Sequence, residues 1–219
     1  MQSSPGAHLD GWTLIVPVKQ TTLAKSRLTG LEADVRRRLA VAFAQDVVSA
    51  AVACHDVVRV VVVTNDPVAP VLSELGAEVI PDVPDAGLNA ALTYAAERVR
   101  EDRRDAPIAA LSSDLPTVRA SDLSRALTAT PEPRWFVADL AGFGTTMLAA
   151  SRGQQWAPKF GPGSRAAHAS DGMVELDAAD LDRLRRDVDT PDDLADAYRR
   201  GVGVWTADVL ATLDTSLRL

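Results

Sequence analysis

A cluster of basic and hydroxyl side chains follows directly after the first strand-like segment of the chain. Residues 14–18 are almost wholly apolar, and Lys19, Lys25, Ser26 and Arg27 come soon after them. Cations and hydroxyls in a loop that leaves a strand are a common way to hold the phosphates of a nucleotide. A basic loop exposed to solvent is the alternative interpretation. The segment alone does not decide between the two, so the positions of the other polar residues become important.

Carboxylates in two later segments are suited to binding a hard metal ion. Asp114 follows an apolar run, and Asp187 and Asp189 alternate along a segment that ends at Thr190 and Pro191. In an extended segment the two alternating side chains would share one face. Mg²⁺ prefers oxygen ligands and is usually held by one or two carboxylates together with substrate phosphates. These three aspartates are therefore candidate metal ligands. The alternatives are a turn or cap role for the first, and a helix cap for one of the pair.

Two glycine-rich segments, residues 142–146 and 160–165, are candidates for a second anion site. Their glycines permit positive φ and close approach of the backbone to a ligand. Exposed N–H groups together with Ser or Thr hydroxyls bind phosphate or carboxylate, most strongly if a helix begins after Ser164. Two ordinary glycine turns are the alternative. His168 would follow Ser164 by one helical turn, and a lone histidine is more often structural than catalytic.

Alternating strand and helix patterns predict a three-layer α/β fold with a mostly parallel sheet. The continuous β-branched run at residues 57–64 is typical of a strand covered on both faces. Ser121 and Thr190 are expected helix N-caps, and the less regular second half is expected to contain antiparallel strands. The predicted strands are residues 14–18, 57–64, 77–81, 108–111, 135–138 and 146–150. The predicted helices are residues 32–54, 66–76, 88–100, 122–129, part of 161–170, 178–186 and 191–200.

The predicted sheet brings the polar segments together, because ligands of open α/β sheets bind beyond the carboxyl ends of the strands. The basic loop follows the first strand, Asn65 follows the second, Gly87 and Asn89 follow the third, and Asp114 follows the fourth. Each segment is weak evidence alone, since turns use these residues routinely. Their convergence on one edge predicts a ligand site there.

Composition narrows the classes of protein. The chain has 219 residues, 47% of them hydrophobic, and a net charge of -7, which disfavours nucleic-acid binding. One cysteine, Cys54, excludes an internal disulfide and fits a cytoplasmic location. No apolar run approaches membrane-span length, so no membrane association is expected. Residues 1–10 are expected to be a disordered lead-in and residues 11–219 one domain, with homo-oligomerisation left open.

Six motifs in fixed order resemble those of the guanylyltransferase family that acts early in the biosynthesis of the deazaflavin coenzyme F-420. The resemblance extends from about Trp12 to Arg200, nearly the whole chain. It implies a nucleotidyltransferase fold of the GT-A-like kind. It also implies that the chain couples GTP to a small phosphorylated acid with release of pyrophosphate: phosphoenolpyruvate in actinobacteria, 2-phospho-L-lactate in archaea. The motifs are PVKQTTLAKSRL, GLNAAL, SDLP, GFGTT, FGPGSRAAH and DVDTPDDL.

The resemblance also implies roles for particular residues. The phosphoenolpyruvate contacts of the family match Thr146, Gly161 and Ser164, and its metal aspartate matches Asp114. Asp187 or Asp189 is the candidate second carboxylate for Mg²⁺. The expected nucleotide-binding residues are Lys19, Lys25, Ser26, Arg27 and Asn89, and the expected catalytic residues are Asp114, Lys19 and Lys25. The first loop has cations where related nucleotidyltransferases have glycines, so the residues that contact the triphosphate stay open. The residues that contact guanine also stay open.

Two other functions compete with phosphoenolpyruvate guanylyl transfer. One is the same reaction on 2-phospho-L-lactate or another small phospho-acid. The other is a noncatalytic nucleotide-binding module, because a fold does not fix a function. The paired acidic motifs together with the two anion loops favour an enzyme, since simple nucleotide binding does not require two metal carboxylates. The nucleophile of the expected reaction is already an anion at neutral pH, which agrees with a chain that lacks a convincing catalytic histidine.

Overall fold

A single seven-stranded sheet organises the chain, with strand order β3-β2-β1-β4-β6-β5-β7. The computed structural model describes residues 11–19, 25–176 and 180–216. The expected disordered lead-in at residues 1–10 lies outside these described residues. The strands are β1 Trp12–Pro17, β2 Val57–Val63, β3 Glu78–Ile80, β4 Ile108–Leu111, β5 Arg134–Ala138, β6 Thr145–Ala150 and β7 Val174–Glu175. The helices are α1 Ala33–Val52, α2 Ala69–Glu74, α3 Leu88–Asp102, α4 Ala120–Thr128, α5 Ser164–Ser170, α6 Pro191–Arg200 and α7 Val204–Ser216.

The sheet is mostly parallel, and its exceptions lie in the second half of the chain as expected. Strands β1 to β4 pair in parallel with one another, and β7 pairs in parallel with β5. Strand β6 pairs antiparallel with both β4 and β5. The chain first builds outward from β1 to β3 and then returns to place β4 on the other side of β1. Ligands of open α/β sheets bind at such a reversal point.

Side chains alternate across the central strand and so divide the core into two layers. Leu14 and Val16 of β1 belong to a cluster with α1, α2 and α4 on one face of the sheet. Ile15 belongs to a cluster with α3 on the opposite face. This period of two is what a strand buried on both sides requires. The predicted three-layer α/β architecture is thereby confirmed.

Several predicted element ends differ from the structure for identifiable reasons. The N-cap of α4 is Arg119, not Ser121, and the Asp122 carboxylate accepts the Arg119 N–H. Of the helix expected at residues 178–186, the described part contains only a 3-10 turn at Asp182–Arg185. The prediction that Thr190 caps α6 is confirmed, since its side chain accepts the Asp193 N–H.

The sequence did not predict helix α7, because the N-terminus of this helix is capped by a residue that is distant in sequence. The Asp46 carboxylate on α1 accepts the N–H groups of Trp205 and Thr206, each at 3.1 Å. These are orphan donors of a helix N-terminus, which a local cap would normally satisfy. A Cβ at Gly203 would lie 2.1 Å from Asp46 Oδ1, so this close approach requires glycine.

Candidate functional site

A cavity of about 600 Å³ opens at the carboxyl ends of the central strands. Its walls come from the segments that follow β1, β2, β3 and β4, together with one face of α1. This is the convergence that was predicted from the polar segments following the strands. The side chains that α1 contributes, Ala40 and Phe43, had no signal in the sequence beyond their place on an apolar helix face. The lining residues include Val18, Lys19, Lys25, Asn65, Asp82, Asp85, Gly87, Leu88, Ser112, Ser113, Asp114 and Asp189.

Lys25 places its ammonium group between two carboxylates at one end of this cavity. Its Nζ donates to Asp114 Oδ2 at 2.7 Å and to Asp189 Oδ1 at 2.9 Å. The backbone of Lys25 has φ of 59°, a left-handed conformation that is uncommon outside glycine. Leu28, three residues on, is fully buried against Leu39, Phe43 and Val188 and anchors the turn. The turn therefore directs a basic side chain inward.

A backbone hydrogen bond joins the two acidic segments. The Val188 N–H donates to the Asp114 carbonyl at 3.0 Å, which brings the flanking Asp187 and Asp189 close to Asp114. Neither flanking aspartate caps α6, because the Thr190 and Asp193 side chains already form a capping box there. The alternative that one of the pair serves only as a helix cap is therefore wrong.

The pKa values of two groups in this cluster, Lys25 and Asp187, are both raised, but for different physical reasons. Burial by itself lowers the pKa of Lys25, but the charges of Asp114 and Asp189 outweigh it and raise that pKa. Burial raises the pKa of Asp187 to about 7, with further contributions from the charges of Asp114 and Asp189. Because an opposite charge favours ionisation and a like charge opposes it, the ammonium is held charged while one carboxyl is held partly protonated.

The raised pKa of Asp187 predicts that the metal-free protein loses stability as pH rises. Between its ordinary pKa of 3.8 and about 7, the folded state holds a proton that the unfolded state has released. The free energy of unfolding therefore falls across this window, and the full cost is present above pH 7. Asp187→Asn removes this cost and should raise the free energy of unfolding at pH 8 by a few kcal/mol, at about 1.4 kcal/mol per pKa unit.

Urea denaturation in the presence of a chelator, at pH 5 and pH 8, measures this effect. Asp192→Asn is the matched control, because it neutralises an exposed carboxylate only five positions away. In Asp192→Asn, the difference in free energy of unfolding from wild type should not increase with pH. The prediction would be contradicted if the difference in free energy of unfolding between Asp187→Asn and wild type were the same at pH 8 as at pH 5.

The carboxylates have the chemistry that a magnesium ion requires. Asp114 Oδ1 is buried, and no hydrogen-bond partner for it exists among the described residues. An orphaned carboxylate oxygen beside two further carboxylates suits a hard cation. Within residues 11–19, 25–176 and 180–216, no group of three or more acidic, His or Cys side chains is arranged to hold a metal alone. The residues therefore fit a metal ion only together with further oxygen ligands, such as phosphates.

The other predicted nucleotide-binding residues are distributed unevenly around the cavity. Lys19 is exposed and lines it. Arg27 is exposed and pairs with Asp189 at 3.4 Å, and Ser26 lies in the same exposed turn. Asn89 is engaged elsewhere: its amide nitrogen donates to the Phe160 carbonyl at 2.9 Å, and its amide oxygen accepts the Phe160 N–H at 2.8 Å. Direct nucleotide binding by these four residues stays a prediction.

The three predicted acceptor residues lie outside the lining of this cavity, beyond β4. Thr146 is buried on β6, and its carbonyl accepts the Ser112 N–H at 2.8 Å, which joins this strand to the Asp114 segment. Ser164 begins α5, and its N–H donates to the Gly161 carbonyl at 3.0 Å. Gly161 has φ of 132°, and a Cβ there would meet nothing within 4 Å. The backbone at Gly161 is thus open to a ligand, whereas the side chains of Thr146 and Ser164 are buried.

His168 is completely buried next to Phe160, in the segment that leads to Gly161. In this conformation its ring therefore cannot contact a substrate directly. Burial, with the nearby charge of Lys159, lowers its pKa to about 4. Its ring lies 5.5 Å from the ring of Phe160 and 5.6 Å from that of Phe136. The burial of His168 agrees with the expectation that a lone histidine is more often structural than catalytic, although the sequence did not show which groups it contacts.

Solved structures define the class of protein. A protein from Desulfovibrio desulfuricans G20, assigned as a nucleotide-diphospho-sugar transferase, superposes with a TM-score of 0.64 over 94% of this chain and 96% of its own, at 16% identity. A 4-diphosphocytidyl-2C-methyl-D-erythritol synthase superposes with a TM-score of 0.51 over 87% and 96% of the chains, at 12% identity. Together with the strand-end cavity, these similarities define an α/β protein with the nucleotidyltransferase fold.

Sequence comparison identifies the family. Residues 12–218 match the model of the family described as guanylyl transferase CofC like, and the chain belongs to that family. Phosphoenolpyruvate guanylyltransferase of Streptomyces scabiei is 52% identical over 209 residues, covering 92% of this chain and 97% of that protein. The enzyme of the same name from Thermomonospora curvata is 48% identical over 215 residues, covering 97% and 94%.

Among the described residues, no helix is both long and apolar enough to cross a membrane.

Proposed function

We propose that this chain transfers GMP from GTP to phosphoenolpyruvate, releasing pyrophosphate and giving enolpyruvyl-diphosphoguanosine for coenzyme F-420 biosynthesis. The observation that carries the proposal is the convergence of Lys25, Asp114 and Asp189 at one end of a nucleotide-sized cavity, with Asp187 near enough for the charges of both aspartates to act on it. Family membership and the names of close relatives support the choice of GTP and phosphoenolpyruvate. A cytoplasmic location is part of the proposal.

The order of loops along the sheet edge suggests how GTP lies. Neighbouring strands are about 4.8 Å apart, so the distance from β3 to β4 is roughly 14 Å, comparable to a nucleotide from base to phosphates. We place the base near the segments after β2 and β3, where Asn65, Asp82 and Asp85 line the cavity. The phosphates then lie near Lys19 and Lys25, after β1 and beside the Asp114 segment.

The acceptor is placed on the other side of Asp114, next to β6. The hydrogen bond between Ser112 and Thr146 connects this strand to the metal-binding segment. A small phospho-acid held by backbone groups near Gly161 and Ser164 would have its phosphate directed toward the α-phosphorus of GTP. The buried hydroxyls of Thr146 and Ser164 would support the backbone conformation or become accessible when the ligand binds.

The reaction is an in-line substitution at the α-phosphorus. A phosphate oxygen of the acceptor forms the new P–O bond, and the bond from the α-phosphorus to the bridging oxygen of the β-phosphate breaks. The electron pair of that bond leaves with pyrophosphate. The nucleophile is an anion at neutral pH, so no general base is required. Positioning and neutralisation of charge lower the barrier.

The residues of this chain divide that work between them. Asp114, with Asp187 or Asp189, would hold Mg²⁺, which when bound neutralises phosphate charge and orients the leaving group. Lys25 and Lys19 would contact the triphosphate directly. Two N–H donors of the Lys25 ammonium are bound to Asp114 and Asp189, and its third donor would serve the phosphate unless a phosphate oxygen replaces one of these carboxylates.

Pyrophosphate release from GTP and Mg²⁺, followed separately with phosphoenolpyruvate and with 2-phospho-L-lactate, tests the proposal. We expect turnover with phosphoenolpyruvate at a kcat/KM at least about tenfold above that with 2-phospho-L-lactate. A reversed preference would assign the chain to the second acceptor. GTP binding by calorimetry without pyrophosphate release from any phospho-acid would favour the noncatalytic module instead.

A further inference from the structure

The peptide groups of Lys159 and Phe160 are each held by a side chain from a different element. His168 Nε2 accepts the Lys159 N–H at 2.9 Å, and Asn89 hydrogen-bonds both the N–H and the carbonyl of Phe160. We call residues 159–164 the acceptor loop, since Gly161 and Ser164 belong to it. Both side chains hold the main chain of the loop immediately before Gly161.

The hydrogen bonds of His168 define its tautomer. A backbone N–H can only donate, so Nε2 carries no proton, and the neutral ring has its proton on Nδ1. Nδ1 lies 2.9 Å from Thr145 Oγ1 and donates to it. His168 therefore joins the acceptor loop to the residue before Thr146 on β6. A protonated ring would present a donor to the Lys159 N–H and lose that bond, and the lowered pKa of His168 is consistent with a neutral ring at neutral pH.

Asn89 connects the same loop to the nucleotide side. It lies in the first turn of α3, and the two preceding residues, Gly87 and Leu88, line the cavity. A side-chain amide that pairs with both polar groups of one residue fixes the position and the orientation of that residue. The acceptor loop is thus fixed at two adjacent peptide groups, once to β6 and α5 through His168 and once to α3 through Asn89.

From this arrangement we propose that His168 and Asn89 are positioning residues for the phospho-acid, which set its affinity without touching it. The inference rests on the proposed function, because it takes the acceptor loop as the phospho-acid site. Main-chain donors bind an anion well only when their geometry is fixed in advance. Residues that fix the peptides before Gly161 therefore determine how well the open backbone at Gly161 can bind the acceptor.

Paired substitutions separate the two hydrogen bonds of His168. His168→Asn can reach Thr145 but is too short to reach Lys159, whereas His168→Gln can reach Lys159. We expect His168→Asn to raise the KM for phosphoenolpyruvate about fivefold to tenfold, with the KM for GTP unchanged within about twofold. His168→Gln should restore much of the acceptor affinity. Asn89→Ala should raise the acceptor KM in the same way.

Thr93→Ala is the matched control for Asn89→Ala, because Thr93 is exposed one turn further along α3 and its hydroxyl donates to the Asn89 carbonyl at 2.9 Å. It should leave both KM values unchanged. Amide hydrogen exchange of Lys159 and Phe160 in labelled protein gives a second readout that needs no turnover. Exchange at Lys159 should accelerate in His168→Asn and return toward the wild-type rate in His168→Gln.

The outcomes distinguish this inference from the proposed function. Wild-type protein that turns over no phospho-acid would remove the proposed function, while the exchange rates would still test whether the two side chains hold the loop. Wild-type turnover with an unchanged acceptor KM in both His168→Asn and Asn89→Ala would overturn the inference. Equal increases in the KM values for GTP and phosphoenolpyruvate would also overturn it, since a general loss of structure would then explain the variants.

Discussion

Asp114→Asn should lower the kcat for guanylyl transfer by at least about a hundredfold, because it removes the carboxylate at the centre of the site. Asp114 accepts from Lys25, has a buried Oδ1 with no hydrogen-bond partner among the described residues, and holds Val188 through its backbone carbonyl. Asparagine keeps the size and the backbone bond but loses the charge. The fold should therefore survive while metal binding and turnover are lost.

Pyrophosphate release measures the loss of turnover, and the thermal midpoint verifies the fold. Asp34→Asn is a suitable control, because Asp34 is an exposed carboxylate in the first turn of α1 that pairs with Arg37 and is not among the described residues lining the cavity. It should retain the wild-type rate. If a well-folded Asp114→Asn variant released pyrophosphate at near the wild-type rate, the assignment of Asp114 to the metal would be wrong.

Lys25→Met is expected to produce the second large effect, on both nucleotide affinity and metal-free stability. Losing one charge-assisted contact with a phosphate costs on the order of 1.5–3 kcal/mol, or about tenfold or more in GTP affinity. In the absence of ligands the variant also leaves Asp114 and Asp189 without their shared ammonium partner. The metal-free variant should therefore be less stable than wild type, and added Mg²⁺ should recover part of the loss.

Lys19→Met provides the matched comparison, since Lys19 is an exposed cation on the same cavity wall. It should weaken GTP binding as measured by calorimetry but leave metal-free stability unchanged. Unchanged GTP affinity in both variants would assign the basic loop to the protein surface. A fall in stability in Lys19→Met equal to that in Lys25→Met would contradict the role of the paired carboxylates.

Patterns within a short stretch of sequence were sufficient to predict the helices and strands that do not depend on contacts with distant residues. The β-branched run of β2 and the apolar periodicity of α1 predicted elements that end within a residue or two of the observed ones. Helix α7 escaped prediction because Asp46, far away in sequence, satisfies its first N–H groups. Strand β7 escaped because it has only two exposed residues, which pair with a distant strand.

The sequence could predict those parts of the candidate site that come together because they follow the carboxyl ends of neighbouring strands. That rule brought Asp114 to the edge where Lys25 also lies, and the structure confirms that the two are close. It could not show that Lys25 binds carboxylates in the absence of ligands, because that contact depends on a left-handed turn and on the anchor Leu28. It also could not show that Asn89 and His168 hold a backbone segment, since hydrogen bonds to peptide groups leave no pattern in residue types.

The ion pairs of Lys25 have a thermodynamic consequence for substrate binding. Two of the three N–H donors of the ammonium are already bound to Asp114 and Asp189, so each carboxylate that Lys25 exchanges for a phosphate oxygen breaks one ion pair. When GTP takes the place of a carboxylate, its association is an exchange of partners, and the measured enthalpy contains the cost of separating that ion pair. The heat released on binding should therefore be smaller than the new phosphate contacts would give by themselves, even when those contacts are fully formed.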